Sequence, residues 1–144
     1  MTTIAADAVA GVMCSDSCWT DGEERGTTKK IFRIRGALLG GGGTAKYLDK
    51  WFDLYRKKKP LTGCGDVIVL RLSRSGIDRW IADGSWMKIE QAQFAIGTGG
   101  FAARGAMAAF RAATGDAKCA QSVRIASAID ALSGGFVRSY RLGA

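Results

Sequence analysis

Histidine is absent from this 144-residue sequence, and proline occurs only once. Without histidine there is no Ser–His or Cys–His catalytic pair, no imidazole general base and no His-ligated zinc site. The single proline and a hydrophobic content of 47% predict one ordered domain of ordinary size, spanning residues 1–144. Any proton transfer that this protein catalyses must therefore use another group.

Long hydrophobic runs are also missing from the sequence. No stretch reaches the roughly 20 consecutive apolar residues that a membrane-spanning helix requires. The first residues lack the basic segment and apolar core of a secretory signal. We therefore expect a cytoplasmic protein that has no membrane partner.

The few cysteines are not arranged as metal ligands. There are four of them, namely Cys14, Cys18, Cys64 and Cys119. Their spacing fits no chelate, and nothing else in the sequence marks a small secreted disulfide scaffold. We expect buried, reduced thiols, with no metal and no cofactor.

Acidic residues are outnumbered, at 13 Asp and Glu against 21 Lys and Arg, and the net charge is +8. Such a charge suits nucleic acid, acidic peptides or an acidic partner. The one dense basic run, at 56–59, falls where a helix is predicted to end, and the helix dipole stabilises cations there. We interpret this run as a helix C-terminal patch and do not expect nucleic acid as a partner.

Hydrophobic periodicity predicts strands, one helix, more strands, two helices and a last strand. The predicted strands are 3–8, 12–18, 30–34, 37–40, 67–72, 77–82, two short ones around Met87 and 94–96, and 136–140. The predicted helices are one between Thr44 and Asp66, a second at 101–113, and a third that Asp116 caps and whose buried stripe includes Ile129. Residues 20–28 read as a polar loop. From the order of the strands and helices, we expect the strands to form the middle layers and the helices to lie outside them.

The N-terminus offers a base that could replace histidine. Removal of Met1 would give Thr2 a free α-amino group, whose reference pKa is about 7.7 to 8.0. One residue would then supply both a nucleophilic hydroxyl and a general base. Many proteins begin with Met-Thr, so this feature is weak without support from the rest of the chain.

Six segments in order supply that support. They are Thr2-Thr3-Ile4, Ser15-Asp16-Ser17, Lys29-Lys30-Ile31, Gly42-Gly43-Thr44-Ala45, Gly97-Thr98-Gly99-Gly100 and Asp130-Ala131-Leu132-Ser133-Gly134-Gly135. Together they resemble the proteasome β-subunit and HslV family over nearly the whole chain, with threonine replacing serine in the fifth segment. The resemblance implies an α+β fold: a four-layer αββα Ntn-hydrolase sandwich of two antiparallel sheets, with one helix and the last strand of the family missing.

The resemblance also implies the central catalytic roles. Thr2 would be the nucleophile of a threonine-type peptidase or amide hydrolase that works through an acyl-enzyme. Lys30 would add positive charge beside Thr2, and Asp16 would pair with Lys30 to keep it charged and oriented. Taken from the residues alone, an ordinary salt bridge between strands is the better interpretation of this pair.

Further roles carry over to the surrounding positions. Thr98, Asp130 and Ser133 would form hydrogen bonds around the Thr2 amine. The backbone N–H of Gly42 would donate to an oxyanion, since no Cβ obstructs its approach. Gly40 would lie at the floor of a specificity pocket that has room for a large apolar side chain.

The implied partners are a peptide or protein substrate, further copies of the chain in a homo-oligomer, and an ATP-dependent unfoldase. Two other functions remain open from the sequence. One is a catalytically silent relative that serves as a structural or assembly subunit, which a retained Met1 would favour. The other is a basic nucleic-acid module, which requires clustered cations beside exposed aromatics such as Trp80 or Trp86.

Overall fold

The computed structural model describes residues 2–81, 84–110 and 114–143. Within these ranges the chain forms eleven strands and three helices. They are β1 (Thr3–Asp7), β2 (Val12–Ser15), β3 (Cys18–Asp21), β4 (Glu24–Thr27), β5 (Ile31–Ile34), β6 (Ala37–Gly42), α1 (Ala45–Arg56), β7 (Ile68–Ser73), β8 (Gly76–Trp80), β9 (Trp86–Ile89), β10 (Gln93–Gly97), α2 (Gly100–Ala109), α3 (Gly115–Ile129) and β11 (Arg138–Arg141).

Two antiparallel sheets make the middle layers of the fold. The first sheet has the strand order β10-β1-β2-β11, and the second has the order β5-β6-β7-β8-β9. Helices α2 and α3 pack on the outer face of the first sheet, and α1 packs on the outer face of the second. The fold class expected from the sequence, an α+β sandwich of antiparallel sheets between helices, is confirmed.

Alternation of side chains along β1 divides the core into two parts. Ile4 and Ala6 point between the sheets and pack with Met13, while Ala5 points toward α2 and α3. The same alternation governs the residues just before Ile4. Thr2 therefore shares the face that looks toward the second sheet, and Thr3 shares the face that looks toward the helices.

Helix α1 covers the second sheet with a cluster of aromatic rings. Trp51 is fully buried, stacks on Tyr55 with ring centroids 5.1 Å apart, and meets Trp80 and Trp86 edge-on at 5.8 Å. Trp80 and Trp86 are cross-strand partners on β8 and β9. Their bulk fills the outer face of these strands, beside the single helix predicted between residues 44 and 66.

The same cluster bears on the nucleic-acid module considered above. Trp80 is only 6% exposed, and the guanidinium of Arg71 lies 4.1 Å from the centre of the Trp86 ring. Trp80 is therefore part of the core and is not a platform for bases. At the end of α1, Lys57 pairs with Asp53 at 2.8 Å, which agrees with the basic run being a helix C-terminal patch.

The polar loop predicted at 20–28 is wrong, because this segment contains most of a β-hairpin. Strand β3 pairs with β4, and the indole of Trp19 lies over Gly26, its cross-strand partner. The predicted strand 12–18 is divided in consequence, since β2 ends at Ser15 and β3 belongs to the hairpin. The hairpin is exposed on most sides, so its residues need no hydrophobic alternation.

Two expectations about α3 are corrected, and others lie outside the described residues. Asp116 is in the first turn of α3 and pairs with Arg141, whereas the N-cap position belongs to Thr114. Ile129 is 70% exposed, and the buried face of α3 includes Cys119 and Val123 instead. The predicted ends at residues 82 and 113, and the turn at 83, fall in undescribed parts of the chain.

All four cysteines are buried free thiols, as expected. Within the described ranges, no helix combines the length and the apolar character that crossing a membrane would require.

We predict that Trp51→Ala lowers the free energy of unfolding by about 3–5 kcal/mol, because it empties the centre of the aromatic cluster. Urea unfolding at equilibrium measures this change. Tyr47→Ala on the same helix is the control, since Tyr47 is 37% exposed, and its cost should stay below about 1 kcal/mol. Equal losses in the two variants would contradict the packing described here.

Candidate active site

Asp16 lies where the chain leaves the first sheet after β2. Its backbone N–H donates to the carbonyl oxygen of Thr3 at 3.1 Å, which holds it beside the start of β1. The side chain is fully buried. A carboxylate taken out of water in this way is costly unless donors surround it.

Four donors surround the Asp16 carboxylate. Oδ1 accepts hydrogen bonds from Thr2 Oγ1 at 3.2 Å, from the Thr3 backbone N–H at 2.8 Å and from Lys30 Nζ at 2.8 Å. Oδ2 accepts from the backbone N–H of Gly134 at 3.1 Å. Asp16 thereby joins the N-terminal strand, the start of β5 and the segment that follows α3, and it brings three of the predicted site residues together.

Lys30 is only 5% exposed and immediately precedes β5. Its carbonyl oxygen accepts the N–H of Gly41 at 3.1 Å, so the residue is tied to β6. Burial lowers the pKa of the Lys30 ammonium below its ordinary value, although the hydrogen bond and charge of Asp16 oppose this shift. Because Lys30 Nζ and the Thr2 hydroxyl donate to the same oxygen of Asp16, the ammonium and the hydroxyl lie close to each other.

A second network lies on the other face of β1. Ser133 Oγ donates to Asp130 Oδ2 at 2.7 Å, and Thr98 Oγ1 donates to the same oxygen. Ser133 Oγ also lies 2.7 Å from Thr3 Oγ1. The structure thus brings Thr98, Asp130 and Ser133 together, and their link to the N-terminal strand runs through the Thr3 side chain.

Sequence reasoning missed the role of Thr3. This residue is fully buried and touches both networks, through its backbone N–H to Asp16 and its hydroxyl to Ser133. The alternation of a strand that starts at Thr3 could have indicated it, because adjacent hydroxyls must point to opposite faces.

Two glycines allow the backbone to approach Thr2 closely. A Cβ on Gly42 would lie 2.4 Å from Thr2 Cγ2, and one on Gly97, whose φ is +95°, would lie 1.9 Å from the Thr2 carbonyl oxygen. Any larger residue at either position would displace Thr2. The proposed oxyanion role of Gly42 stays a prediction, and the structure places this glycine against the Thr2 methyl group.

Gly40 lies on the same face of β6 as Gly42 but is directed into the core. A Cβ there would meet Ile4 at 2.7 Å and Met13 at 3.1 Å. The cavity beside Thr2 is bordered by Gly41 and Gly42. The assignment of Gly40 to a specificity pocket stays a prediction. In the structure, the neighbouring Gly41 and Gly42 contact the cavity directly.

Two neighbouring cavities lie near the N-terminal strand, and Thr2 borders the smaller one. The inner one has a volume of about 140 Å³ and is bordered by Thr2, Lys30 and the aromatic rings of Trp19, Phe32 and Phe52. The outer one, of about 700 Å³, lies between the β3–β4 hairpin and the start of α1. The two cavities share Trp19, Thr28, Gly43 and Ala45 in their walls, so they adjoin as one cleft whose inner part touches Thr2.

The Asp130 network predicts a specific pH dependence of stability. Partial desolvation would raise the pKa of Asp130, but hydrogen bonds from Ser133, Thr98 and the Leu132 N–H outweigh it and lower the pKa below its ordinary value of 3.8. The ionised carboxylate therefore stabilises the fold above that value, and this contribution is lost as the pH falls through the lower folded-state pKa.

We predict that Asp130→Asn lowers the free energy of unfolding by about 1–3 kcal/mol at neutral pH, because the donors lose their anionic acceptor. The difference from the wild type should shrink as the pH falls below 3.8. Urea unfolding over a pH series measures this difference, and Asp49→Asn, at an exposed position of α1, is the control. A difference that stays constant into the acid range would contradict this assignment.

Comparisons with known proteins identify the fold. No protein-family model and no curated protein matches the chain. Eukaryotic HslV from Trypanosoma brucei superimposes with a TM-score of 0.76 and 19% identity, over 96% of this chain and 98% of its own. BPH from Thiobacillus denitrificans superimposes with a TM-score of 0.77 in its complex with epoxomicin, at 19% identity over 99% of this chain and 100% of its own. A second structure of BPH gives 0.73, at 20% identity over 99% of both chains. The chain therefore has the HslV and proteasome type of N-terminal-nucleophile hydrolase fold.

Proposed function

We propose that this protein is a threonine-type peptidase or amide hydrolase whose nucleophile is the Thr2 hydroxyl after removal of Met1. The observation that carries the proposal is the bridge made by Asp16 Oδ1, which accepts hydrogen bonds from both Thr2 Oγ1 and Lys30 Nζ. This bridge lies beside a cavity that opens onto the surface cleft. The likeness to HslV supports the same function.

Acylation would use the hydroxyl and the amine of one residue. Thr2 Oγ bonds to the carbonyl carbon of the scissile amide, and the hydroxyl proton passes to the free α-amino group. The tetrahedral intermediate then collapses, the C–N bond breaks, and the leaving amine takes up that proton. An ester remains on Thr2 Oγ.

Deacylation would repeat the same steps with water. The amine removes a proton from water as the hydroxide oxygen bonds to the ester carbon. The bond to Thr2 Oγ breaks, the proton returns to Oγ, and the acid product leaves. The Gly42 N–H is the proposed donor to the oxyanion in both steps.

The buried pair of Asp16 and Lys30 would tune these steps electrostatically. A nearby ammonium would disfavour a second positive charge on the Thr2 amine, which favours the neutral amine that can act as a base. The same charge stabilises the oxygen of Thr2 as it loses its proton. Asp16 pairs with Lys30 at 2.8 Å. Without this partner, the buried ammonium would carry a large desolvation penalty.

The proposal includes a peptide or protein substrate and assembly with further copies of the chain in the cytoplasm, together with an ATP-dependent unfoldase. Exposed apolar side chains support an assembled state. Phe101 is 82% exposed, Ile129 is 70% exposed and Phe136 is 51% exposed. Exposed apolar surface of this kind is typical of contacts between proteins.

We predict that Thr2→Ala lowers kcat/KM on fluorogenic peptides by at least about a thousandfold, because it removes the nucleophile. Thr2→Ser should retain part of the rate, since it keeps both the hydroxyl and the amine. Thr62→Ala, at an exposed position in the loop after α1, serves as a matched control. Equal activity of the Thr2→Ala variant and the wild type would reject the mechanism.

Mass spectrometry separates this proposal from the silent-subunit alternative. The purified protein should lack Met1, and incubation with epoxomicin, the ligand of the Thiobacillus complex, should add one inhibitor mass to the wild type only. A retained Met1 together with no adduct and no turnover would favour a structural subunit.

A further inference from the structure

Thr3 is held by shorter hydrogen bonds than Thr2. The bond from Thr2 Oγ1 to Asp16 Oδ1 is 3.2 Å long, whereas hydroxyl donors bond best at about 2.7–2.8 Å. The backbone N–H of Thr3 donates to the same carboxylate oxygen at 2.8 Å, and the Thr3 hydroxyl lies 2.7 Å from Ser133 Oγ. The position of Thr2 therefore depends on the residue that follows it.

The hydrogen bonds of Thr3 close a ring. Asp16 Oδ1 accepts the Thr3 N–H, and Asp16 Oδ2 accepts the N–H of Gly134 at 3.1 Å. Gly134 follows Ser133, whose Oγ meets the Thr3 hydroxyl. The carbonyl oxygen of Thr3 also accepts the N–H of Asp16 at 3.1 Å. Thr3 is thus bound through its N–H, its carbonyl oxygen and its side chain.

The direction of the side-chain hydrogen bond follows from a count of protons. A hydroxyl carries one proton, and Ser133 donates its proton to Asp130 Oδ2 at 2.7 Å. The proton in the contact between Thr3 and Ser133 must therefore come from Thr3 Oγ1. The result is a directed chain from Thr3 through Ser133 to Asp130, and it ends on a carboxylate, which accepts and does not donate when it is ionised.

The Thr3 side chain lies on the face of β1 that is turned away from the cleft. It is fully buried, and the described walls of both cavities consist of other residues. The start of α2 leaves room for it, because a Cβ on Gly99 would lie 2.1 Å from Thr3 Oγ1 and 3.3 Å from Ser133 Oγ. Loss of the Thr3 hydroxyl would therefore leave the walls of the cleft in place.

We propose that Thr3 is a positioning residue: its hydroxyl, bound to the chain that ends at Asp130, fixes the backbone that carries the Thr2 hydroxyl and amine. Thr3 touches no substrate atom and acts through Thr2. Such positioning matters because a displacement of about 1 Å can lower the rate about a hundredfold. This inference rests on the proposed hydrolase function and adds a residue that controls its chemical step.

Thr3→Val tests this role, because valine keeps the branched shape and removes the hydroxyl. On a fluorogenic peptide, kcat should fall by about ten- to a hundredfold. KM should change by less than about twofold, since the interaction that is lost acts on the chemical step. Thr3→Ser restores the hydroxyl and should bring kcat to within about threefold of the wild type. Thr62→Val, in the exposed loop after α1, is the matched control and should leave both constants unchanged.

A second comparison covers the case in which Thr3→Val fails to fold. Thr3→Ser and Thr3→Cys both have unbranched side chains, but a thiol is a weaker donor than a hydroxyl. The cysteine variant should therefore have a kcat about tenfold below that of the serine variant. Urea unfolding of each variant confirms that the assays use folded protein.

A double variant tests whether the effect passes through the chain to Asp130. Asp130→Asn removes the anion at the end of the chain and should itself lower kcat. Combined with Thr3→Val, the total loss should be smaller than the product of the two single losses, because both changes break the same chain. A loss equal to that product would overturn the proposed route.

The outcomes separate the positioning role from the hydrolase function. If no turnover depends on Thr2, the proposed function fails, and the positioning role fails with it. If Thr2-dependent turnover occurs and Thr3→Val keeps the wild-type kcat, only the positioning role is overturned. A fall in kcat that Thr3→Ser does not recover, or a loss that appears only in KM, also overturns it.

Discussion

A fully buried carboxylate, that of Asp16, organises the N-terminal end of this protein. Even after the surroundings relax, burying a lone charge in such a place would cost several kcal/mol. The fold offsets this penalty with four hydrogen-bond donors from separate parts of the chain. Meeting that requirement fixes the positions of Thr2, Lys30 and Gly134 relative to one another. The geometry of the candidate active site is therefore a consequence of satisfying one charge.

The pleat of β1 extends this constraint to the other face of the first sheet. Thr2 points toward the second sheet, the Asp16–Lys30 pair and the cavity, while Thr3 points toward Ser133 and, through it, Asp130. The residues on either side of one peptide bond thus connect two networks that the sequence separates by more than a hundred positions. The close approach of Gly42 and Gly97 lets the backbone pack directly against Thr2.

The sequence predicted the layers because periodicity reports burial. The helical spacing of Trp51 and Tyr55 follows from one buried face of α1, whereas β5 packs Ile31 between the sheets and Phe32 toward α1. The hairpin at 18–27 was missed because little of it is buried, and its contact between Trp19 and Gly26 leaves no periodic signal. Thr2, Asp16 and Lys30 were identified as candidates through resemblance in short segments, whereas the direction of Gly40 depends on register, which composition and motifs do not encode.

A double-mutant cycle of Asp16→Asn and Lys30→Met, measured by urea unfolding, tests the central claim most directly. Each single change should lower the free energy of unfolding by about 3–5 kcal/mol, because it leaves the other charge buried without its partner. The double variant should lose less than the sum, with a coupling of at least about 1 kcal/mol. Single losses below about 1 kcal/mol that simply add would contradict the account, since such values are those of an exposed surface pair.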